Sequence, residues 1–339
     1  MKKFFSLILL SISSILISCS DDDNTNTTIQ NTTDVYVSGQ MDSNACYWKN
    51  NMLTMLDVSG FSNTTAKKII VQNNNVYILG NDNSSFNADN NFLYWNNGVL
   101  TNLNSTFSEV DLDLDYITDM TVVGNDVYFL GYLKHNVNPQ AFDLVYWKNG
   151  VRTVVLQNCA GKYLGSSIQI VNNNVYVLSS VGINQTGVFI NNNFNQINDN
   201  LKYGMTVNGN DVYVHGSINS TTGYNTNLSN GVETIFPYGI NDLTFDGSDI
   251  YTVVDYNNQS FRRMIQKNNI SYYLSPEGFE THIVALNVQD GNVYTIVREL
   301  SSAADFGPNK LLINNLPELV LEYIEGQNNF MNSLYVVEN

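Results

Sequence analysis

Basic residues are scarce in this chain. Its 339 residues include 15 Lys and Arg against 31 Asp and Glu, a formal net charge of −16. Such a body repels a phosphate backbone, which excludes nucleic acid as a partner. Charged residues of both signs reach only 14%, yet hydrophobic residues make up 43%, so the chain is globular rather than disordered. The three cysteines, Cys19, Cys46 and Cys159, form no Cys-x-x-Cys and no Cys/His cluster, which excludes a zinc signature. Cys46 and Cys159 fall in different repeats and read as free, packed thiols. The three histidines, His135, His215 and His282, are isolated in sequence. Serine-hydrolase, zincin, Walker and dinucleotide-glycine motifs are absent, so catalysis finds little support in sequence motifs. Paired carboxylates for glycoside hydrolysis stay open, because they need only meet in space.

What the chain has in quantity is Asn, Ser, Thr and aromatic residues, with 21 Tyr and 16 Phe. Aromatic and β-branched residues favour strands, whereas Asn and Ser favour turns. Two hairpin units alternate along it. One ends in a strand beginning Val-Tyr or Ile-Tyr, as in VQNNNVYILG from Val71, VGNDVYFLG from Val123 and VNNNVYVLS from Val171. The other reads CYWKNNML from Cys46, LYWNNGVL from Leu93 and VYWKNGVR from Val145, with Trp48, Trp95 and Trp147 at one position. Asn-Gly and Asn-Asn between apolar runs predict two-residue hairpin turns. The second unit occurs seven times, with turn residues Asn50, Asn97, Asn149, Asn192, Asn230, Asn268 and Asn314. The spacing is about 44 residues, which matches four strands per propeller blade. The expectation is an all-β chain, a β-propeller of seven four-stranded blades over residues 34–339. Eight blades are the alternative, because Val-Tyr strands outnumber second hairpins by one. The segment Phe330–Asn339 should complete the blade that Asp34 begins.

Residues 1–18 read as a signal peptide: Lys2 and Lys3, then a serine-diluted apolar stretch too short to span a bilayer. Leu16-Ile17-Ser18-Cys19 resembles the lipobox of bacterial lipoproteins, which implies acylation of Cys19 and membrane attachment through lipid chains. Residues 19–33 would then be the lipidated Cys and a flexible tether. Ser20-Asp21-Asp22-Asp23 is similar to the acidic tag of Bacteroidetes-type lipoproteins, which implies the outer membrane with the body facing the cell exterior. The repeats themselves resemble Bacteroidetes-type surface lipoproteins with VYVxG…YWKNG units and, more loosely, kelch propellers. The kelch Gly-Gly doublet is missing, since Gly80, Gly131 and Gly216 stand singly. That resemblance implies a fold and an address without a defined activity.

In such a propeller one face carries tight turns and the other carries longer connections, where recognition is expected. Candidate ligand-binding residues on the long-loop face are Tyr132, Tyr163, Tyr224, Tyr238 and Phe306, because tyrosine rings stack on sugars. Asp111, Asp113 and Asp115 alternate like the start of a calcium loop, but Tyr116 stands where an EF-hand needs Gly. Arg262-Arg263 is a lone basic pair. The expected function is a non-enzymatic binding module or scaffold for a glycan, a peptide or an envelope protein. A polysaccharide-degrading hydrolase or lyase is the alternative, and a purely structural envelope protein is a third reading.

Overall fold

The computed structural model describes residues 33–83, 91–182, 185–197, 201–219, 221–256, 259–275, 280–300, 307–322, 324 and 329–339. Residues 33–339 form one compact unit. It is a seven-bladed β-propeller of four-stranded antiparallel blades. The innermost strands are Phe330–Glu338, Thr64–Gln72, Leu112–Val123, Ser167–Val171, Leu201–Asn208, Ile240–Asp246 and Glu280–Gln289, in blades one to seven. Blade one is built from both ends of the unit, in the order Phe330–Glu338, Thr33–Met41, Asn44–Lys49, Met52–Met55.

That closure accounts for the surplus Val-Tyr copy. Leu334-Tyr335 belongs to an innermost strand, whereas the seven true copies all lie in second strands. Seven blades therefore exhaust the repeats, and the eight-bladed alternative falls.

The turn asparagines explain why the repeat is so regular. In six blades the third-to-fourth turn bends through two residues at positive φ, as at Asn50 (48°) and Asn51 (66°), or Asn149 (49°) and Gly150 (85°). Asn and Gly tolerate that region best, and it matches the right-handed twist of the flanking strands. In six blades the first turn residue, Asn50, Asn97, Asn149, Asn191, Asn268 or Asn314, also clamps the second strand. Its side-chain oxygen accepts from the amide of the Val or Ile that opens the Val-Tyr pair, at 2.8–3.0 Å. Its Nδ2 donates to the Asp or Asn one residue earlier, at 2.7–2.9 Å. In blade four the clamp is Asn191, one residue ahead of the expected Asn192. Blade five has a wider turn, in which the Leu228 amide reaches Val212 O at 2.9 Å and no asparagine clamps.

Apolar burial lies between blades. Seven hydrophobic clusters stand at the seven blade interfaces among the described residues. The cluster between blades seven and one joins Tyr294, Ile296 and Leu311 to Val37, Trp48 and Met331. Trp95 and Trp147 are fully buried. Phe107, on a one-turn helix Leu103–Phe107 capped by Asn102, stacks on Trp147 at 4.3 Å. Since each blade buries its faces only against neighbours, no blade can be stable alone.

The tight turns between first and second strands share a face with these hairpins. The other face carries the remaining connections, which are less uniformly long than the sequence suggests. In blade one the second-to-third connection is the two-residue turn Asp42-Ser43, with φ of 50° and 65°.

Candidate functional site

The expected aromatic platform does not form as drawn. Tyr132 is 1% exposed, and its hydroxyl lies 3.2 Å from Ser166 Oγ and 3.2 Å from Ser179 Oγ while accepting from the Tyr163 amide at 3.0 Å. It is a buried joint between blades three and four. Tyr224 is fully buried. Both rings are withdrawn from solvent, and that of Tyr132 points between blades rather than outward. Tyr238 is half-buried beside the Phe236–Ile240 cluster. Tyr163 is half-buried and lines a pocket of about 390 Å³ with Cys159, Lys162 and Val181. Phe306 and Cys19 lie outside the described residues, as does the Arg262 side chain.

The other candidates are dispersed. Asp111 and Asp113 are exposed, and Asp115 is ion-paired with Lys162. Among the described residues no three His, Cys, Asp or Glu side chains converge as a metal site would require. His135 Nε2 lies 3.0 Å from Asp143 Oδ1. Arg263 pairs with Asp255 at 3.0 Å, and His282 is half-buried opposite Arg298 in the strand register. Cys46 and Cys159 are free thiols, and burial pushes the Cys46 thiol up to about 12.

The feature that sequence reading missed is the wall of the central channel. A cavity of about 600 Å³ is lined by innermost-strand residues of six blades, including Lys67, Gln169, Asp242, Asn287 and Asn332. In six blades the innermost strand carries a β-bulge at one shared register position. A bulge re-aims side chains and recurs near functional sites. The position after each bulge holds Ser333, Lys68, Asp119, Gly204, Asp242 and Ala285 in blades one, two, three, five, six and seven, and in all of these but blade one it is five residues before the tight turn. Read back from the turns, that spacing was the available signal. The charges lie in otherwise apolar strands, as in AKKIIV from Ala66 and DMTVV from Asp119.

These positions differ in how they are satisfied. Lys68 Nζ lies 2.5 Å from Asp119 Oδ1, which joins blade two to blade three. Asp119 also accepts from its neighbour Met120 N at 2.8 Å and, through Oδ2, from Ile168 N of blade four at 2.9 Å. Ser333 Oγ accepts from Ile69 N at 3.4 Å across the interface of blades one and two. Asp242 by contrast accepts only from Leu243 N, at 2.8 Å, among the described residues. Burial without a compensating cation raises its carboxyl to about 6. Lys67 has no anionic partner among the described residues. It reaches solvent inside the channel, but protein encloses it on the sides, and that enclosure lowers its ammonium below the usual lysine range. The channel thus holds an unpaired cation on blade two and an unpaired anion on blade six, well separated around the ring.

The sequence matches no protein-family model, and no curated protein matches it. Solved structures match it at low similarity. The polysaccharide lyase Uly1 matches with a TM-score of 0.34 and 11% identity over 79% of this chain and 69% of the lyase. The acylaminoacyl peptidase of Pyrococcus horikoshii matches with a TM-score of 0.46 and 8% identity over 77% of this chain and 48% of the peptidase. A prolyl endopeptidase matches with a TM-score of 0.47 and 10% identity over 87% of this chain and 50% of the enzyme. The chain therefore spans about half the length of these two peptidases, and no activity is carried over from them.

Proposed function

We propose that this chain is a lipid-anchored binding module of the bacterial outer surface, and that it holds a polar ligand, a glycan or a peptide, in the channel where it opens on the long-loop face. The observation that carries the reading is the pair Lys67 and Asp242. Both face one cavity of about 600 Å³ and neither has an opposite charge to pair with among the described residues. Uncompensated, enclosed charge destabilises a fold. A ligand that supplies the missing partners gives such residues a purpose, and a rigid ring pre-organises them for it. The address rests on Leu16-Ile17-Ser18-Cys19 and the acidic run after it. The polysaccharide-cleaving alternative would need a second carboxylate beside Asp242, and Asp242 is the one acid among the described channel-lining residues.

The test is retention of a panel of neutral, acidic and amino-sugar polysaccharides and short peptides on the immobilised protein. Asn287→Trp should fill the channel and abolish retention while the thermal midpoint stays unchanged. Undiminished retention by that folded variant would remove the channel from consideration.

A further inference from the structure

The seven blades are copies of one plan, so equivalent positions serve as internal controls. Two aspartates occupy the position after the bulge. Asp119 in blade three and Asp242 in blade six oppose Leu130 and Val253 at matching register, and each accepts a hydrogen bond from the next residue's amide at 2.8 Å. They differ in what the preceding blade offers. For Asp119 the preceding blade supplies Lys68 at the same register position, and its ammonium lies 2.5 Å from the carboxylate. For Asp242 the preceding blade supplies Gly204, which has no side chain to offer.

A second observation points to the same gap. The residue across the strand pair from Gly204 is His215, which is 3% exposed with Nδ1 lacking a hydrogen-bond partner. A Cβ placed on Gly204 would lie 3.0 Å from His215 Nε2, so the imidazole edge backs directly onto the missing side chain. Leucine holds the position of His215 in blades two, three and four, as Leu79, Leu130 and Leu178, and needs no partner. Blade five thus combines a glycine where blade two carries Lys68, a buried imidazole whose edge stands directly behind it and, among the described residues, an unpaired carboxylate on the next blade.

We propose that Asp242 is the anchor of a binding site for a primary ammonium group, entering from the channel and taking beside Asp242 the place that Lys68 takes beside Asp119. A primary ammonium fits because the native solution at Asp119 is one: a compact cation with three donors. The ligand class is a molecule bearing an unsubstituted amine, such as an amino sugar or an amino-terminated peptide. This rests on the channel reading and names the ligand group it selects.

The test uses the full chain and 1,4-diaminobutane as probe, with 1,4-butanediol as its uncharged counterpart, followed by calorimetry. The wild-type protein should bind the diamine at least tenfold more tightly than the diol. Binding should weaken about tenfold from pH 7.5 to pH 5, as the carboxylate protonates. Asp242→Asn should lose the preference, and Asp242→Glu should keep part of it. Equal binding of diamine and diol by the wild type, or an unchanged preference in folded Asp242→Asn, would overturn the ammonium site. The two ideas fail separately. Ligand retention that is lost in Asn287→Trp but intact in Asp242→Asn leaves the channel standing without the ammonium site. Diamine binding that depends on Asp242, with no retention lost in Asn287→Trp, does the reverse.

Discussion

His215 and Asp242 are both enclosed, and enclosure moves their titrations in opposite directions. Burial pushes His215 down to about 4, so the folded imidazole stays neutral while the unfolded one takes a proton near pH 6.5. Its contribution to stability is present above pH 6.5 and is lost as pH falls towards 4, by about 3 kcal/mol in full. Asp242 is raised to about 6, so the folded carboxyl keeps a proton that the unfolded chain releases near pH 4. Its contribution is present below that and is lost as pH rises through 6. Between about pH 4 and 6 the two slopes oppose each other. Urea unfolding at pH 4.5, 5.5 and 7 should therefore show a shallow profile for the wild type. His215→Leu should leave a stability that falls as pH rises through 6. Asp242→Asn should leave one that falls as pH drops below 6.5. At pH 7 Asp242→Asn should be more stable than the wild type by about 2 kcal/mol, less than the full shift because the channel admits water. A wild-type profile as steep as either variant's would contradict this pairing.

At the scale of the element, the hairpin clamp makes a sharper prediction than general turn propensity does. Asn149 Nδ2 donates to the Asp126 carboxylate at 2.7 Å, whereas Asn97 Nδ2 donates to the Asn75 amide oxygen at 2.8 Å. Replacing Asn149 by Asp sets two carboxylates against each other. Replacing Asn97 by Asp meets an amide that can turn and donate instead. Thermal unfolding should show Asn149→Asp costing about 2 kcal/mol and Asn97→Asp under about 1 kcal/mol. Equal losses would mean that the turn conformation, and not the clamp, sets the stability. These hairpins were legible in the sequence because each advertises itself locally, through Asn-Asn or Asn-Gly at positive φ and an aromatic beside it. The channel wall was harder to read. A bulge depends on a partner strand and leaves only an indirect trace, such as Gly80, where a Cβ would meet Thr65 O at 2.1 Å, or Gly131, where it would meet Tyr116 O at 2.3 Å. Tyr132 and Tyr224 misled for a related reason: a tyrosine in a strand near a loop looks the same whether its ring is exposed or buried.

For the molecule as a whole, the seven interfaces are alike in kind, but one is made differently. Phe330–Glu338 pairs with Thr33–Met41 and supplies Met331 and Leu334 to the cluster between blades seven and one. Deleting residues 330–339 should therefore unseat both neighbouring interfaces, and the truncated chain should lose its cooperative transition in circular dichroism melts. A truncated chain that still melts in one sharp step near the wild-type midpoint would show that six complete blades suffice.

That seam has a consequence for how the protein is made. The edge of Thr33–Met41 is among the first structure synthesised, and its partner strand arrives only after some 290 further residues. Pairings so distant in sequence close slowly. An unpaired strand edge invites pairing with other chains in the meantime. A circular permutant that opens the chain between blades, and links residue 339 to residue 33 by a short flexible join, would place both halves of blade one side by side in the order of synthesis. The ring would be unchanged, but the long wait would be gone, and refolding yield at high protein concentration would measure how much of the risk of misassembly lies in that single join.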